Sequence, residues 1–347
     1  MERDLVESSC DSLVVCTSRP QGYDDAFSPY WYNHYELKDM SAPLCKSYIE
    51  KLLTFLEDNG DERDRYRKIL HNALNDPMVS KLMTTPLYTA IIVLLVKMGG
   101  TPPTKRYALF QEYCEIVIKR EKQKEMLPSL YDEYDWIMKL HAQIGFQLQA
   151  ESETAENAAA ELSAVRCKQL IVQFLQDEGF EGESLAKSED FYFAMTTRLS
   201  FLSEVSGSDQ EACVLFPLRS IQEYFAAEWL ISFDNEDKLS EALEHISVSA
   251  YWRNVYLFVA GYFTKHRSRK NMNETLFRIC QRNNGDENHE SANAAAYRIA
   301  MPGSRLALDL LCDNLLNHPA DQHRYLNIVA KLLDEDDHAP RLNTPLI

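Results

Sequence analysis

Glycine is scarce in this chain, and the short motifs that mark the commonest catalytic centres are missing. Among 347 residues there are 11 glycines, and the patterns GxxxxGKS/T, GxGxxG, HExxH and GxSxG do not occur. Such motifs build phosphate cradles, zinc sites and activated serines. The nine histidines do not stand at ligand spacing from cysteines or carboxylates. The sequence therefore predicts no catalytic residue set and no metal site.

Long apolar runs and paired cysteines are also lacking. The longest apolar run, Pro86 to Met98, is shorter than the ~20 residues that a bilayer-spanning helix needs. The N-terminal MERDLVESSCDS has no apolar core of the kind found in an export signal. The eight cysteines are scattered without a CxxC, which is typical of thiols used as small hydrophobic side chains in a reducing compartment. We therefore expect a cytoplasmic protein without a membrane partner.

Positive charge is in deficit. The chain has 36 lysines and arginines against 53 aspartates and glutamates, a formal net charge of −17. A field of this sign repels nucleic acid and anionic membranes. The densest basic run, KHRSRK at Lys265 to Lys270, is interpreted as a solvated helix end. We therefore do not expect nucleic acid as a partner.

Helical patterns dominate from Ser41 onward. Ser41 is predicted to start a helix that ends before Gly60. The apolar residues predicted to face inward on this helix are Leu44, Tyr48, Leu52, Phe55 and Leu56. Further on, FYFAMTTRLSFLSEV and CVLFP have β character and flank the polar turn SGSDQEA. Two helices followed by two strands around such a turn are typical of a winged helix.

The stretch FPLRSIQEYFAA, Phe216 to Ala227, indicates a strand that leads directly into a helix. Ser220 followed by Glu223 has the spacing of a capping box, which would start the helix at this point. The helical period places Ile221, Tyr224 and Phe225 on one face and turns Gln222 and Glu223 the other way. An amphipathic helix with outward-facing Gln222 and Glu223 is therefore predicted.

Four segments, taken in order, resemble parts of NACHT-type signalling NTPases. TSRPQGYDD is similar to the sensor-1 segment, and NHYELKDMSAPLCKSYIEKLL to the segment that follows it. SKLMTTPLYTAIIVLLVKMGGTPPTKRYALFQEYCEIVIKRE is similar to a proline-led helix, its glycine turn and the next helix. FPLRSIQEYFAAEWL resembles the end of the family's winged helix, and YWRNVYLFVAGYF a segment that often follows. The resemblance is dense over residues 13–130 and 190–263.

The resemblance implies a mainly α fold in four parts. Residues 1–35 would be the C-terminal remnant of an α/β NTPase core that carries sensor 1. Residues 36–100 would form a small helical domain and residues 101–231 a winged-helix domain. Residues 232–347 would form a helical scaffold or sensor region.

The same resemblance implies the nucleotide-binding residues. Arg19 would read the terminal phosphate, because a charged guanidinium fork suits phosphate oxygens; its alternative is a surface arginine that caps a loop. Pro86 would lie against the adenine; its alternative is an ordinary helix-start proline. The family's phosphate-contacting histidine aligns with Leu218, which cannot donate a hydrogen bond. The neighbouring Arg219 is therefore the candidate substitute.

The phosphate-binding loop and the magnesium-binding acidic strand of the family would lie upstream of Met1. ATP or ADP with magnesium is therefore expected as a cofactor only in a chain that includes the upstream core. The chain by itself is expected neither to bind nucleotide tightly nor to hydrolyse ATP.

The function implied is the regulatory part of a nucleotide-controlled oligomerisation switch, of the prokaryotic branch that acts in antiphage defence. Its partners would be its own upstream core and effector, further copies of itself on activation, and an unidentified trigger. The alternative is a helical protein-interaction scaffold that works without nucleotide. A winged-helix DNA binder fits poorly with the net charge of −17.

Overall fold

The computed structural model describes residues 32–35, 37–124, 134–154, 161–180, 184–206, 211–265, 270–284, 300–316 and 318–333. The chain divides into two compact units, residues 1–37 and 38–347. In the first unit the described residues, 32–35 and 37, form no helix or strand. The predicted TSRP strand, and with it Arg19, lies outside the described residues.

The second unit is mainly helical, as the sequence predicts. Its described residues form fourteen α-helices, one π-helix and three short strands. The first seven α-helices are α1 (Ala42–Leu56), α2 (Gly60–Ala73), α3 (Pro77–Leu82), α4 (Pro86–Lys97), α5 (Arg106–Gln123), α6 (Tyr134–Thr154) and α7 (Ala164–Asp177). The other seven are α8 (Ser184–Phe193), α9 (Arg219–Ile231), α10 (Glu236–Ile246), α11 (Arg253–Lys265), α12 (Lys270–Arg282), α13 (Pro302–Cys312) and α14 (Pro319–Ala330).

Local sequence signals determine both ends of α4. The Thr85 side chain accepts a hydrogen bond from the Tyr88 N–H, and Pro86 takes the first helical position, where its missing N–H costs nothing. After the last turn, Gly99 adopts a left-handed conformation with φ of +88°. A residue with a Cβ is strained in that conformation, so glycine suits this helix end.

The sequence predicts that Gly60 ends a helix. In the structure Gly60 instead begins α2. The preceding Asn59 is the N-cap, and its side chain accepts hydrogen bonds from the backbone N–H groups of Asp61 and Glu62. These bonds satisfy two of the donors that a helix start leaves open. The cap therefore places the helix start at a glycine that composition alone assigns to a helix end.

The inward face of α1 also differs from the predicted one. Its buried residues are Cys45, Ile49 and Leu53, which repeat every four residues. Leu44 and Phe55, both predicted to face inward, are 55% and 85% exposed. The helix packs against α2 and α4, so the tertiary contact rather than the count of apolar residues selects the face.

A three-stranded antiparallel sheet precedes α9 in the chain, with the strand order β1-β3-β2. In β1 (Leu162–Ser163), Leu162 pairs with Val214 of β3 (Ala212–Leu215). On the other edge of β3, Cys213 pairs with Val205 of β2 (Ser203–Ser206). The β2–β3 hairpin contains the two strands predicted around the polar turn, and two helices, α7 and α8, precede it.

Part of the segment that was predicted to be β is helical. FYF at residues 191–193 completes α8, and Ala194–Arg198 forms a π-helix. Ala194 and Met195 are buried, and an Arg198 NH2 lies 2.8 Å from a carboxylate oxygen of Glu121 near the end of α5. Burial and this ion pair therefore outweigh the β propensity of the aromatic run.

The helix α9 lies within the core and packs against α6, α11 and α5. A Cβ added at Gly145 of α6 would lie 2.8 Å from the Cβ of Phe225, so the backbones of α6 and α9 approach closely at this point. The neighbouring Tyr224 ring lies 5.8 Å from both the Phe110 ring of α5 and the Phe258 ring of α11. The helix therefore has no face that is wholly open to solvent.

Candidate functional site

Two of the residues predicted to bind nucleotide, Pro86 and Arg219, lie at helix starts. Pro86 is exposed at the first position of α4. Leu218 is the N-cap of α9 and is 40% exposed. Arg219 is the first residue of α9, and its side chain is 15% exposed. Arg19 lies outside the described residues.

The predicted capping box at Ser220 is not formed. The N-cap is Leu218, and no side chain caps the α9 N–H groups there. Glu223 instead accepts a hydrogen bond from Arg219 Nε at 3.1 Å, one turn earlier on the same helix. The expectation that Gln222 and Glu223 face outward is also wrong, since they are 7% and 2% exposed. Both side chains are held inside by polar partners on other helices.

A continuous chain of polar contacts runs from Arg219 into the interior. We call it the Arg106 network; its members are Arg106, Arg219, Glu223, Asn254 and Asp313. Each oxygen of Glu223 has a donor: Arg219 Nε for one and Asn254 Nδ2, also at 3.1 Å, for the other. The Asn254 Oδ1 accepts from an Arg106 NH1 at 3.0 Å, and Arg106 Nε donates to Asp313 Oδ2 at 3.1 Å.

Three helix starts and one helix end supply this network. Arg106, Arg219 and Asn254 lie in the first turns of α5, α9 and α11, and Asp313 directly follows α13. Tyr88 of α4 also interacts with the Arg106 guanidinium. Because buried charges are stable only when paired, these contacts fix the five helices relative to one another.

A second set of contacts holds α6 against the same part of α9. Gln222 Nε2 donates to Gln149 Oε1 of α6 at 2.9 Å. In turn, Gln149 Nε2 donates to the Tyr251 carbonyl oxygen at 2.9 Å. The Tyr251 ring lies under the Arg219 guanidinium, with 3.9 Å between the Arg219 Cζ and the ring centroid. Arg219 is therefore positioned by an ion pair and by a cation–π contact.

Further along α9, a buried acid lies between α5 and α9. Burial raises the pKa of the Glu228 carboxyl, and hydrogen bonds from the Tyr107 and Tyr224 hydroxyls offset part of that rise. Burial likewise raises the pKa of the nearby Cys114 thiol well above its usual value, and Glu228 adds to the effect. These shifts favour the protonated thiol, which is a poor nucleophile.

A small polar depression lies between the starts of α11 and α13. Its polar lining comprises Ser247, Ser249, Arg253, Arg305 and Asp309, and its free volume is about 20 Å³. That volume has room for about one water molecule, far less than a nucleotide requires. Arg253 is also paired with Asp309 across it.

The sequence singled out Arg219 but not Arg106, Asn254 and Asp313, which are linked to it through Glu223. These residues are far apart in the chain, and none belongs to a short motif. A buried polar network of this kind depends on which helix starts meet in space. Only the position of each residue near a helix end could have drawn attention to it.

The described ranges contain no group of three or more histidine, cysteine, aspartate or glutamate side chains that could hold a metal ion. Over the same residues, no helix combines the length and apolar character needed to cross a bilayer. No protein-family model matches the chain, and no curated protein is significantly similar to it.

Proposed function

We propose that this chain is the C-terminal regulatory part of a NACHT-type signal-transducing NTPase, a cytoplasmic switch whose oligomerisation is controlled by nucleotide. The observation that carries the proposal is the order of elements before QEYFAA. Two helices, α7 and α8, and a two-stranded hairpin lead directly into α9, which begins inside FPLRSIQEYFAA. This is the order of a winged helix, and FPLRSIQEYFAAEWL resembles the end of the winged helix in this family.

The switch works by a shift of populations between two conformations. ADP held between the upstream core and the winged helix stabilises a closed monomer, and exchange for ATP in response to a trigger opens it. The opened form then associates with further copies and activates an effector, in antiphage defence for the prokaryotic branch. The helices after Ile231 serve as scaffold or sensor.

The test is a nucleotide titration of the longest polypeptide that the gene encodes, after mapping of its transcript. We expect a GxxxxGKS/T segment upstream of Met1 and binding of ADP by that longer chain. In it, Arg19→Ala should weaken ATP binding by about tenfold, the scale of one lost charged hydrogen bond. Wild-type affinity in the Arg19→Ala variant would remove this residue from the site.

A helical interaction scaffold that works without nucleotide is the second candidate. The observation that favours it is the Arg106 network, in which both Glu223 oxygens and the Arg219 Nε are satisfied by protein partners. If the longest polypeptide begins at Met1 and gives no heat with ADP or ATP at about 1 mM, the scaffold function is favoured and the switch is not.

A further inference from the structure

We propose that the Arg106 network is a latch in which Asp313 controls how firmly Glu223 holds Arg219. In the closed arrangement Arg106 is paired with Asp313, and Arg219 is paired with Glu223. When Arg106 loses Asp313, it takes Glu223 as its new partner in place of Asn254, and this second positive charge weakens the ion pair between Glu223 and Arg219. The coupling stands on the geometry alone; binding of a nucleotide phosphate by the loosened Arg219 rests on the proposed function.

Arg106 depends on Asp313 to balance its charge. Its side chain is 13% exposed, and Nε and an NH2 both donate to the same Asp313 oxygen. A guanidinium stays protonated at all ordinary pH values, so it cannot become neutral when its partner leaves. An unpaired buried cation is strongly destabilising. Withdrawal of Asp313 therefore forces Arg106 toward another carboxylate.

Two other carboxylates, those of Glu223 and Asp309, lie near Arg106. Asn254 bridges Arg106 and Glu223: its Oδ1 accepts from Arg106 at 3.0 Å, and its Nδ2 donates to Glu223 at 3.1 Å. Asp309 also interacts electrostatically with Arg106, but it is already paired with Arg253. Rotation of the Asn254 side chain would bring Arg106 and Glu223 together. Glu223 is therefore the carboxylate that Arg106 reaches.

Arg219 is the residue whose hold then changes. Its ion pair with Glu223 joins residues one turn apart on the same helix, and the Arg219 side chain is 15% exposed. Arg106 takes the Glu223 oxygen that Asn254 now holds. Arg219 therefore keeps its own oxygen but shares the carboxylate charge with a second cation, and its ion pair weakens. The adjoining Leu218 is already 40% exposed, so the loosened guanidinium has a short path to solvent.

The experiment measures how fast each arginine of the whole chain reacts with phenylglyoxal, by mass spectrometry of its peptides. In Asp313→Asn we expect labelling of Arg219 to rise by about tenfold, the scale of one lost charged hydrogen bond. Asp309→Asn is the matched control, because Asp309 is 20% exposed, Asp313 is 26% exposed, and each pairs with an arginine. The control should leave Arg219 labelling at the wild-type rate.

A second variant separates the latch from general loosening of the fold. Glu223→Gln should raise Arg219 labelling by itself, and adding Asp313→Asn should then change it no further. An equal rise at Arg282 and Arg324, which form surface ion pairs elsewhere, would overturn the proposal. So would unchanged Arg219 labelling in Asp313→Asn, the result expected if Arg106 moves to Asp309. Neither outcome depends on nucleotide, so the latch can fail while the proposed function stands.

Discussion

His141 is a fully buried imidazole on α6, surrounded by aromatic rings. Its ring is stacked on Phe225 at 5.1 Å between centroids and meets Phe201 edge-on at 5.4 Å. Nδ1 forms a hydrogen bond of 2.7 Å to the Ile137 carbonyl oxygen, one turn earlier on the helix. Burial disfavours the charged form and lowers the pKa of His141 from 6.5 to about 4, although its backbone hydrogen bonds oppose the shift.

This shift predicts acid sensitivity. Between pH 6.5 and 4 the unfolded chain takes up a proton that the folded chain excludes, so the free energy of unfolding falls as the pH falls. The loss attributable to His141 approaches about 3 kcal/mol at the lower pH. Urea unfolding curves of the wild type and of His141→Gln at several pH values measure it.

The glutamine variant serves as the control because it cannot titrate. Carboxylates such as Glu228 titrate in both proteins, so their effect cancels when the two pH profiles are subtracted. The wild type should lose stability faster than His141→Gln across this window. Parallel profiles would show that His141 is protonated in the folded protein.

At the scale of helices and strands, the sequence predicted features that depend on neighbouring residues. The start of α4 at Pro86 and the turn at Gly99 follow from residues next to them in the chain. The inward face of α1 did not follow, because Leu44 and Cys45 both begin apolar stripes of helical period. The burial of Glu223 did not follow either, because its partner Asn254 lies on another helix, far away in the sequence.

The close crossing of α6 and α9 at Gly145 predicts that one added methyl group at this position destabilises the fold. A Cβ at this position would lie 2.8 Å from Phe225 Cβ and 3.1 Å from the Ala226 nitrogen. Because a backbone atom cannot rotate away, Gly145→Ala should lower the free energy of unfolding by about 2 kcal/mol. Gly60→Ala is the control, as nothing lies within 4 Å of its Cβ position. Equal stability of the two variants would show that the crossing is looser than described.

At the scale of the whole molecule, one buried apolar cluster extends through the second unit, from Cys45 to Ile328. It crosses the boundaries that the sequence resemblance implies near residues 100 and 231. Phe258 of α11, beyond the second boundary, packs edge-on against Phe110 of α5 with 5.2 Å between ring centroids. The parts are therefore expected to depend on one another for stability.

A truncation tests this dependence. A chain that ends at Ile231 loses Phe258 and Asn254, which leaves the buried Glu223 oxygen without its donor. We expect this fragment to lack a cooperative thermal transition and to bind a hydrophobic dye. A chain that ends at Leu333 retains every described helix and should melt cooperatively. Cooperative melting of the shorter fragment would instead make residue 231 a true domain boundary.

The charge of the molecule gives a prediction about DNA. The net charge is −17. In addition, Glu189 and Asp190 are exposed on α8, the last α-helix before the β2–β3 hairpin in the chain. Duplex DNA should therefore not be retarded by the chain in a gel at salt concentrations of about 50 to 200 mM. Retardation that weakens as salt rises would show that a local basic surface overrides the overall charge.

Buried cysteines such as Cys114 allow local opening of the fold to be followed by chemical modification. Cys45, Cys114, Cys167 and Cys280 lie in α1, α5, α7 and α12, and burial raises the pKa of each thiol. An alkylating reagent can reach them only when the surrounding helix leaves the core. The exposed Cys312 reacts without any opening and sets the reference rate. The modification rates of the four buried cysteines, measured by mass spectrometry of one proteolytic digest, would therefore rank α1, α5, α7 and α12 by how often each opens.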